Sequence, residues 1–88
     1  MLHTEATTDR LGRPVTVGMN VRVLEIPESL VRDLPDEERP EVQSMLGRVF
    51  RVYEIDEYGS AWVEKVWEDD DGSRSHSLAL SPHEMEIA

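Results

Sequence analysis

The residues able to do chemistry in this chain are three histidines, one dense acidic run, seven serines and an abundance of carboxylates. A metal site needs two ligands delivered to one face. His76 and His83, with Glu84 or Glu86 as carboxylate, offer neither the i, i+4 spacing of a helical site nor a His-x-His pair. His3 lies in an N-terminal stretch without periodicity and says nothing. His76 shares strand parity with Leu78 and Leu80, so it reads as a half-buried histidine with a ring nitrogen bonded to a backbone carbonyl. The run Asp69-Asp70-Asp71-Gly72 invites a calcium reading. Counting an EF-hand loop back from Gly72 puts Trp67 at the first ligand position and Leu78 where the bidentate Glu belongs, so the count fails twice. The run is read as a solvated turn that discourages pairing of sheet edges.

Nucleophilic catalysis has no better footing. Ser73, Ser75, Ser77 and Ser81 lack an elbow context and a base held by a third group. The five glycines, Gly12, Gly18, Gly47, Gly59 and Gly72, are never closer than six residues, too sparse for a phosphate-cradling loop. Carboxylates number 19 with Asp and Glu together, which singles out no pair with split acidities. No catalytic, cofactor-binding or metal-binding residue is therefore assigned, and the chain is expected not to be an enzyme.

Charge bears on partners. Nine basic residues, eight Arg and Lys65, leave a formal net charge of −10 over 88 residues. Nucleic-acid affinity comes chiefly from Lys and Arg displacing counterions, so a phosphate-backbone partner is disfavoured and a basic protein surface favoured. Two alternatives stand beside it: a local arginine patch from Arg48, Arg51 and Arg74 that binds nucleic acid, and an acidic mimic of DNA that occupies a basic protein's groove. Cysteine is absent, which excludes disulfides, thiolate chemistry and Cys-ligated metals. A cytoplasmic location follows, because small secreted domains usually depend on disulfides. The start, MLHTEATTDRLGR, has no apolar run of the export type, and no stretch approaches the roughly 20 apolar residues of a membrane span.

The elements that would carry these residues are mostly strands. Val15–Ile26 alternates with β-branched residues and is interrupted near Gly18-Met19-Asn20 by a turn or bulge, which leaves Val21–Ile26 as the strand proper. From Pro27 the character changes. Leu30, Val31 and Leu34 suggest helical turns over Glu28–Leu34; Pro40, the stripe Val42, Met45, Leu46 and the stop at Gly47 mark a second short helix. Their apolar stripes are read as lids on the core. Arg48–Ile55, RVFRVYEI, is the next strand, followed by the turn Asp56–Gly59. Ser60–Glu68 is another, and Asp71-Gly72 is a strong hairpin signal. Ser73–Leu80 alternates cleanly. Ser81-Pro82-His83-Glu84 matches a capping box with proline inside it and predicts one helical turn before a last strand at Met85–Ile87.

Five short antiparallel strands cannot leave one face bare, so they should curl on themselves. The order of segments, with Gly47 opening the second strand, the Asp69–Gly72 hairpin and Leu80-Ser81-Pro82-His83 running into Met85-Glu86-Ile87, resembles an SH3-like small β-barrel. That likeness implies a mainly β fold: a five-stranded, partly open barrel with short helices between the first two strands and a one-turn helix before the fifth. The likeness covers about residues 15–87, and residues 14–88 are expected to form one domain behind a flexible N-terminal tail at residues 1–13. In such barrels the ligand groove is floored by aromatics from the long loop, the start of the third strand and the one-turn helix. Here the resemblance matches Trp62 to the strand and Pro82 to the helix, while the long loop, Pro27–Leu46, has no aromatic. Trp62 and Trp67, five apart, must point to opposite faces of a regular strand, and Tyr53 and Tyr58 lie near them in sequence. The expected function is protein–protein interaction without catalysis, by a monomer or weak dimer without cofactor. Trp62, Tyr58, Pro82 and Trp67 are the candidate partner-binding residues.

Overall fold

The computed structural model of the protein describes residues 6–88, the side chain of Asp69 excepted; His3 lies outside the described residues. Its architecture is mainly β, with three small sheets, none of them closed. The first is a hairpin of β1 (Ala6–Thr8) and β2 (Pro14–Thr16). From Ala6 onward the expected tail is therefore corrected: Thr7 pairs with Val15, whose side chain is completely buried. Alternation over three residues is too short a signal to separate such a strand from a loop. What holds the hairpin is a long-range contact, taken up below with Asp9.

A turn at Gly18, with φ of 95°, leads into β3 (Asn20–Val23). Gly18 N–H bonds Val52 carbonyl at 2.8 Å, and Val52 N–H returns to Met19 carbonyl at 2.9 Å. Val21 and Val23, two apart on one face of β3, are fully buried. The strand is central in its sheet, between β4 (Val49–Arg51) and β8 (Met85–Ile87), both antiparallel to it.

The long connection holds α1 (Glu28–Arg32) and α2 (Arg39–Gln43). Only α2 behaves as a lid. Val42 and, just beyond the helix, Met45 enter the core, whereas α1 buries no residue at all. Of the first stripe, Leu34, just beyond α1, packs against the core, and the lid reading is corrected for Leu30, which remains 40% exposed.

The single strand expected over Arg48–Ile55 is two. After β4 the chain bends at Val52-Tyr53 and continues as β5 (Glu54–Ile55), because its halves pair with different partners, β4 with β3 and β5 with β6 (Ala61–Asp69). Val52, at the bend, is fully buried. The third sheet then runs β5-β6-β7, where β7 is Gly72–Leu80. The β6–β7 register pairs Ala61 with Leu80, Val63 with Leu78 and Asp69 with Gly72, so the hairpin falls at the expected acidic run, with Asp70-Asp71 at its tip and Gly72 opening β7. Gly72 sits at φ of 126°, a conformation that L side chains rarely adopt. The one-turn 3-10 helix is found at Pro82–Glu84, and the Glu84 carboxylate accepts the Ser81 N–H at 2.8 Å. The core that the sheets and α2 enclose is rich in valine, with Val15, Val21, Val23, Val52 and Val63 around Met45, Leu78, Leu80 and Met85. No helix among the described residues is long and apolar enough to cross a membrane.

Candidate partner-binding groove

Strand β6 has two faces, and its tryptophans divide between them. Ala61 and Val63 are buried beneath the sheet. Trp67 has their parity but lies farther out, beyond the tightest part of the core. There it meets the His76 ring edge-on, centroids 5.4 Å apart at 80°, with Lys65 Nζ 4.9 Å from its own centroid. Trp62 stands on the opposite face, paired across the strands with Ala79 and Glu54.

The indole of Trp62 is pinned. Its Nε1–H donates to Asp56 Oδ2 at 3.0 Å, while Asp56 Oδ1 accepts the Tyr58 and Ser60 N–H groups, each at 2.9 Å. One carboxylate thus organises the turn before β6 and fixes the ring that follows it. Its acidity responds. The Ser60 N–H above all, then the Trp62 indole N–H and the Tyr58 N–H, hold the Asp56 carboxyl below the ordinary Asp value, against a smaller opposing effect of burial.

Beside this ring a groove of about 390 Å³ opens between α1 and the outer face of β6 and β7, lined by Pro27, Ser29, Leu30, Asp33, Trp62, Ser77 and Ala79. The small residues of β7 leave room for it, and the exposed Leu30 forms its helical wall. The chain matches no family model, no curated protein and no solved structure. Its chemistry must therefore be read from the groove itself: a flat aromatic, an aliphatic wall, two hydroxyls and one carboxylate.

Of the four residues singled out in the sequence, only Trp62 lines the groove. Tyr58 is 85% exposed at the tip of its turn, Pro82 is exposed on the one-turn helix, and Trp67 is packed as described. Sequence reasoning passed over Pro27, Leu30, Ser77 and Ala79. The available signal was Leu30, the one position of the Leu30, Val31, Leu34 stripe that ends exposed.

The groove wall is fastened through the connection. Arg39 of α2 donates from Nε to the Val31 carbonyl at 3.1 Å and from Nη2 to the Arg32 carbonyl at 3.0 Å, and its Nη1 pairs with Asp36 at 2.9 Å. Glu41 of the same helix binds Arg74 of β7 at 2.6 Å and lies 3.4 Å from His76 Nε2, with Glu38 at 3.7 Å. The sequence placed His76 against a backbone carbonyl. It is half-buried as expected, but its neighbours are these carboxylates, because α2 folds back under β7 in a way that no local pattern announces. Arg74 is thus held by a carboxylate of α2. Replacing Arg39 by alanine is expected to cost about 1 kcal/mol of stability, the scale of a partly exposed charged hydrogen-bonding group. Hydrogen exchange should rise selectively over residues 28–34, since these bonds tie α1 to α2. Uniform exchange across the chain would contradict the fastening.

Proposed function

We propose that this protein is a non-catalytic recognition module, an SH3-like small barrel that holds a segment of a partner protein in the groove between α1 and Trp62. Support for the barrel comes from the order of pairing: β3 lies between β4 and β8, the bent run β4–β5 passes from one sheet to the next, and a one-turn helix separates β7 from β8. The long connection between β3 and β4 and the start of β6 meet at the groove, where such barrels place a ligand.

The observation that carries the reading is the pinned indole. Trp62 is held by Asp56 in a half-exposed position over a groove of about 390 Å³. An aromatic fixed in advance loses little freedom on binding, and such residues dominate interface energetics. The occupant is a short segment that places an apolar side chain on Trp62 and Leu30 with Lys or Arg beside it. Asp33 lines the groove, and Glu64, next to Trp62 on the same face of β6, accepts from Ser77 Oγ at 3.5 Å and stays exposed. The overall charge of −10 strengthens this choice by steering basic segments toward the chain. A cysteine-free composition fits work in the cytoplasm.

Selection of a random peptide library on the immobilised full chain tests the reading, followed by titration of selected peptides against tryptophan fluorescence. Peptides with one apolar residue flanked by basic ones are expected to emerge. Trp62→Ala should weaken them about 30-fold, the effect of losing a central aromatic worth about 2 kcal/mol, while Trp67→Phe leaves them bound. Asp56→Asn should weaken them less than Trp62→Ala. A library that enriches nothing, or peptides that bind Trp62→Ala unchanged, would overturn it.

A further inference from the structure

On a different part of the surface, the charge pattern runs against the composition. Acids outnumber bases by about two to one, and four arginines each find a carboxylate: Arg10 with Glu86, Arg13 with Asp9, Arg39 with Asp36 and Arg74 with Glu41. Among the described residues Arg22, Arg32, Arg48, Arg51 and Lys65 do not, and of these only Arg48 and Lys65 line a common hollow. That hollow, of about 340 Å³, is lined also by Val49 and Phe50. Two like charges brought together gain nothing from each other. In a chain with this acidic excess, two cations in one open hollow with no carboxylate beside them make a local positive spot that an anion from solution can reach.

The architecture explains why the hollow exists. At the Val52-Tyr53 bend the run passes from β3 to β6, so β4 is paired along one edge with β3 while β5, and not β4, is laddered to β6. The seam between β4 and β6 opens beyond Val63, and Lys65 is the next residue of core parity on β6. Its Nζ donates to Ser44 Oγ at 3.4 Å and sits over the Trp67 ring, which positions the ammonium while leaving further N–H donors for a ligand. The guanidinium of Arg48 has no hydrogen-bond partner among the described residues and can offer its planar fork. Phe50, half-buried, and Val49, 41% exposed, supply the apolar lining.

We propose that this seam binds a small organic anion: a compact ligand joining a phosphate or carboxylate group, held by Arg48 and Lys65, to an apolar body placed on Val49 and Phe50. The hollow suits a ligand the size of a substituted aromatic acid, since pockets for small ligands start at about 300 Å³. The site is independent of the groove at Trp62.

The test is amide NMR titration of the full chain with phenyl phosphate, benzoate, inorganic phosphate and benzyl alcohol, each in turn. Phenyl phosphate or benzoate is expected to give saturable shifts at residues 48–50 and 65, and the tighter of the two names the oxyanion. Inorganic phosphate should bind more weakly for want of the apolar body, and benzyl alcohol should leave these signals in place for want of charge. Arg48→Ala and Lys65→Met, the second keeping the stem against Trp67, should each weaken binding about tenfold, the loss of one charge-assisted contact. Binding unchanged in both variants, equal shifts with benzyl alcohol, or no saturable shift with either acid would overturn the proposal. Retention of a single-stranded oligonucleotide through Arg48 and Lys65, with no response to the small acids, would overturn it in favour of a nucleic-acid surface.

Discussion

Replacement of Asp9 by alanine is expected to detach the N-terminal hairpin and lower the melting temperature by about 10 °C or more, a large shift for a domain of this size. Asp9 is only 2% exposed and gathers the chain's two ends. Its Oδ1 accepts the N–H groups of Leu11 and Arg13, each at 3.0 Å, and its Oδ2 accepts the Ile87 N–H at 3.0 Å and the Arg13 guanidinium at 3.0 and 2.8 Å. Alanine would leave those donors, one of them 78 residues away in sequence, without an acceptor where water has little access. Asparagine keeps the shape but replaces one acceptor with a donor facing donors, so Asp9→Asn should recover only part of the loss. Differential scanning calorimetry of the two variants checks the order.

The same carboxyl makes stability fall in acid. Burial pushes its pKa up, but the N–H groups of Ile87 and Arg13, the Arg13 guanidinium and the Leu11 N–H together outweigh burial and hold it well below the usual Asp range. A folded state that binds the proton less tightly than the unfolded chain loses ground whenever protons become available. The contribution of Asp9 is therefore complete above the ordinary Asp value of 3.8 and declines as pH drops below it toward the folded value. Asp56, shifted the same way, adds to the same acid limb. In denaturant titrations from neutral pH down to about pH 2, Asp9→Asn should flatten that limb. A limb as steep as that of the parent chain would show that other groups set it.

Met45→Ala should cost about 2–5 kcal/mol, the range for removing a fully buried side chain of this size where the surroundings cannot close the space. Met45 is completely buried and follows α2 directly, its N–H bonded to the Val42 carbonyl at 3.0 Å. It packs in the cluster with Val42, Val23 and Val63, and it joins the long connection to both large sheets. The consequence reaches the groove. Through Arg39 the position of α1 depends on α2, and α2 depends on Met45 and on Glu41 for its seat. Chemical denaturation should show the loss as a lower midpoint, and peptides selected on the parent groove should bind Met45→Ala more weakly even where it is still folded. Met45→Leu, nearly equal in volume, should restore most of both.

How far such contacts could be seen in advance varies with their range in sequence. The β6–β7 hairpin was legible because period-two alternation and an Asp-Gly turn are local signals, and the one-turn helix because Ser81, Pro82 and Glu84 make a local cap. Asp9 was not. Between Thr8 and Arg10 it looks like any polar residue of an unstructured start, and what distinguishes it is the Ile87 N–H at the other end of the chain. The bend at Val52-Tyr53 carries no Gly or Pro, since it arises from a change of pairing partner rather than from a breaker. His76 was rightly placed at half-burial by parity, yet its carboxylate neighbours come from a helix 35 residues earlier.

The same division holds for the candidate sites. Composition and spacing by themselves determined a mainly β chain with a helical excursion, an acidic surface and two tryptophans on opposite faces of one strand, because propensity, alternation and charge act within a few residues. Only the tertiary structure decided which tryptophan borders a groove, that α1 walls it instead of covering the core, and that Arg48 and Lys65 share a hollow with no carboxylate among the described residues that line it. Those outcomes depend on which distant segments bury their apolar faces together, and a single strand or helix holds only its own half of that choice.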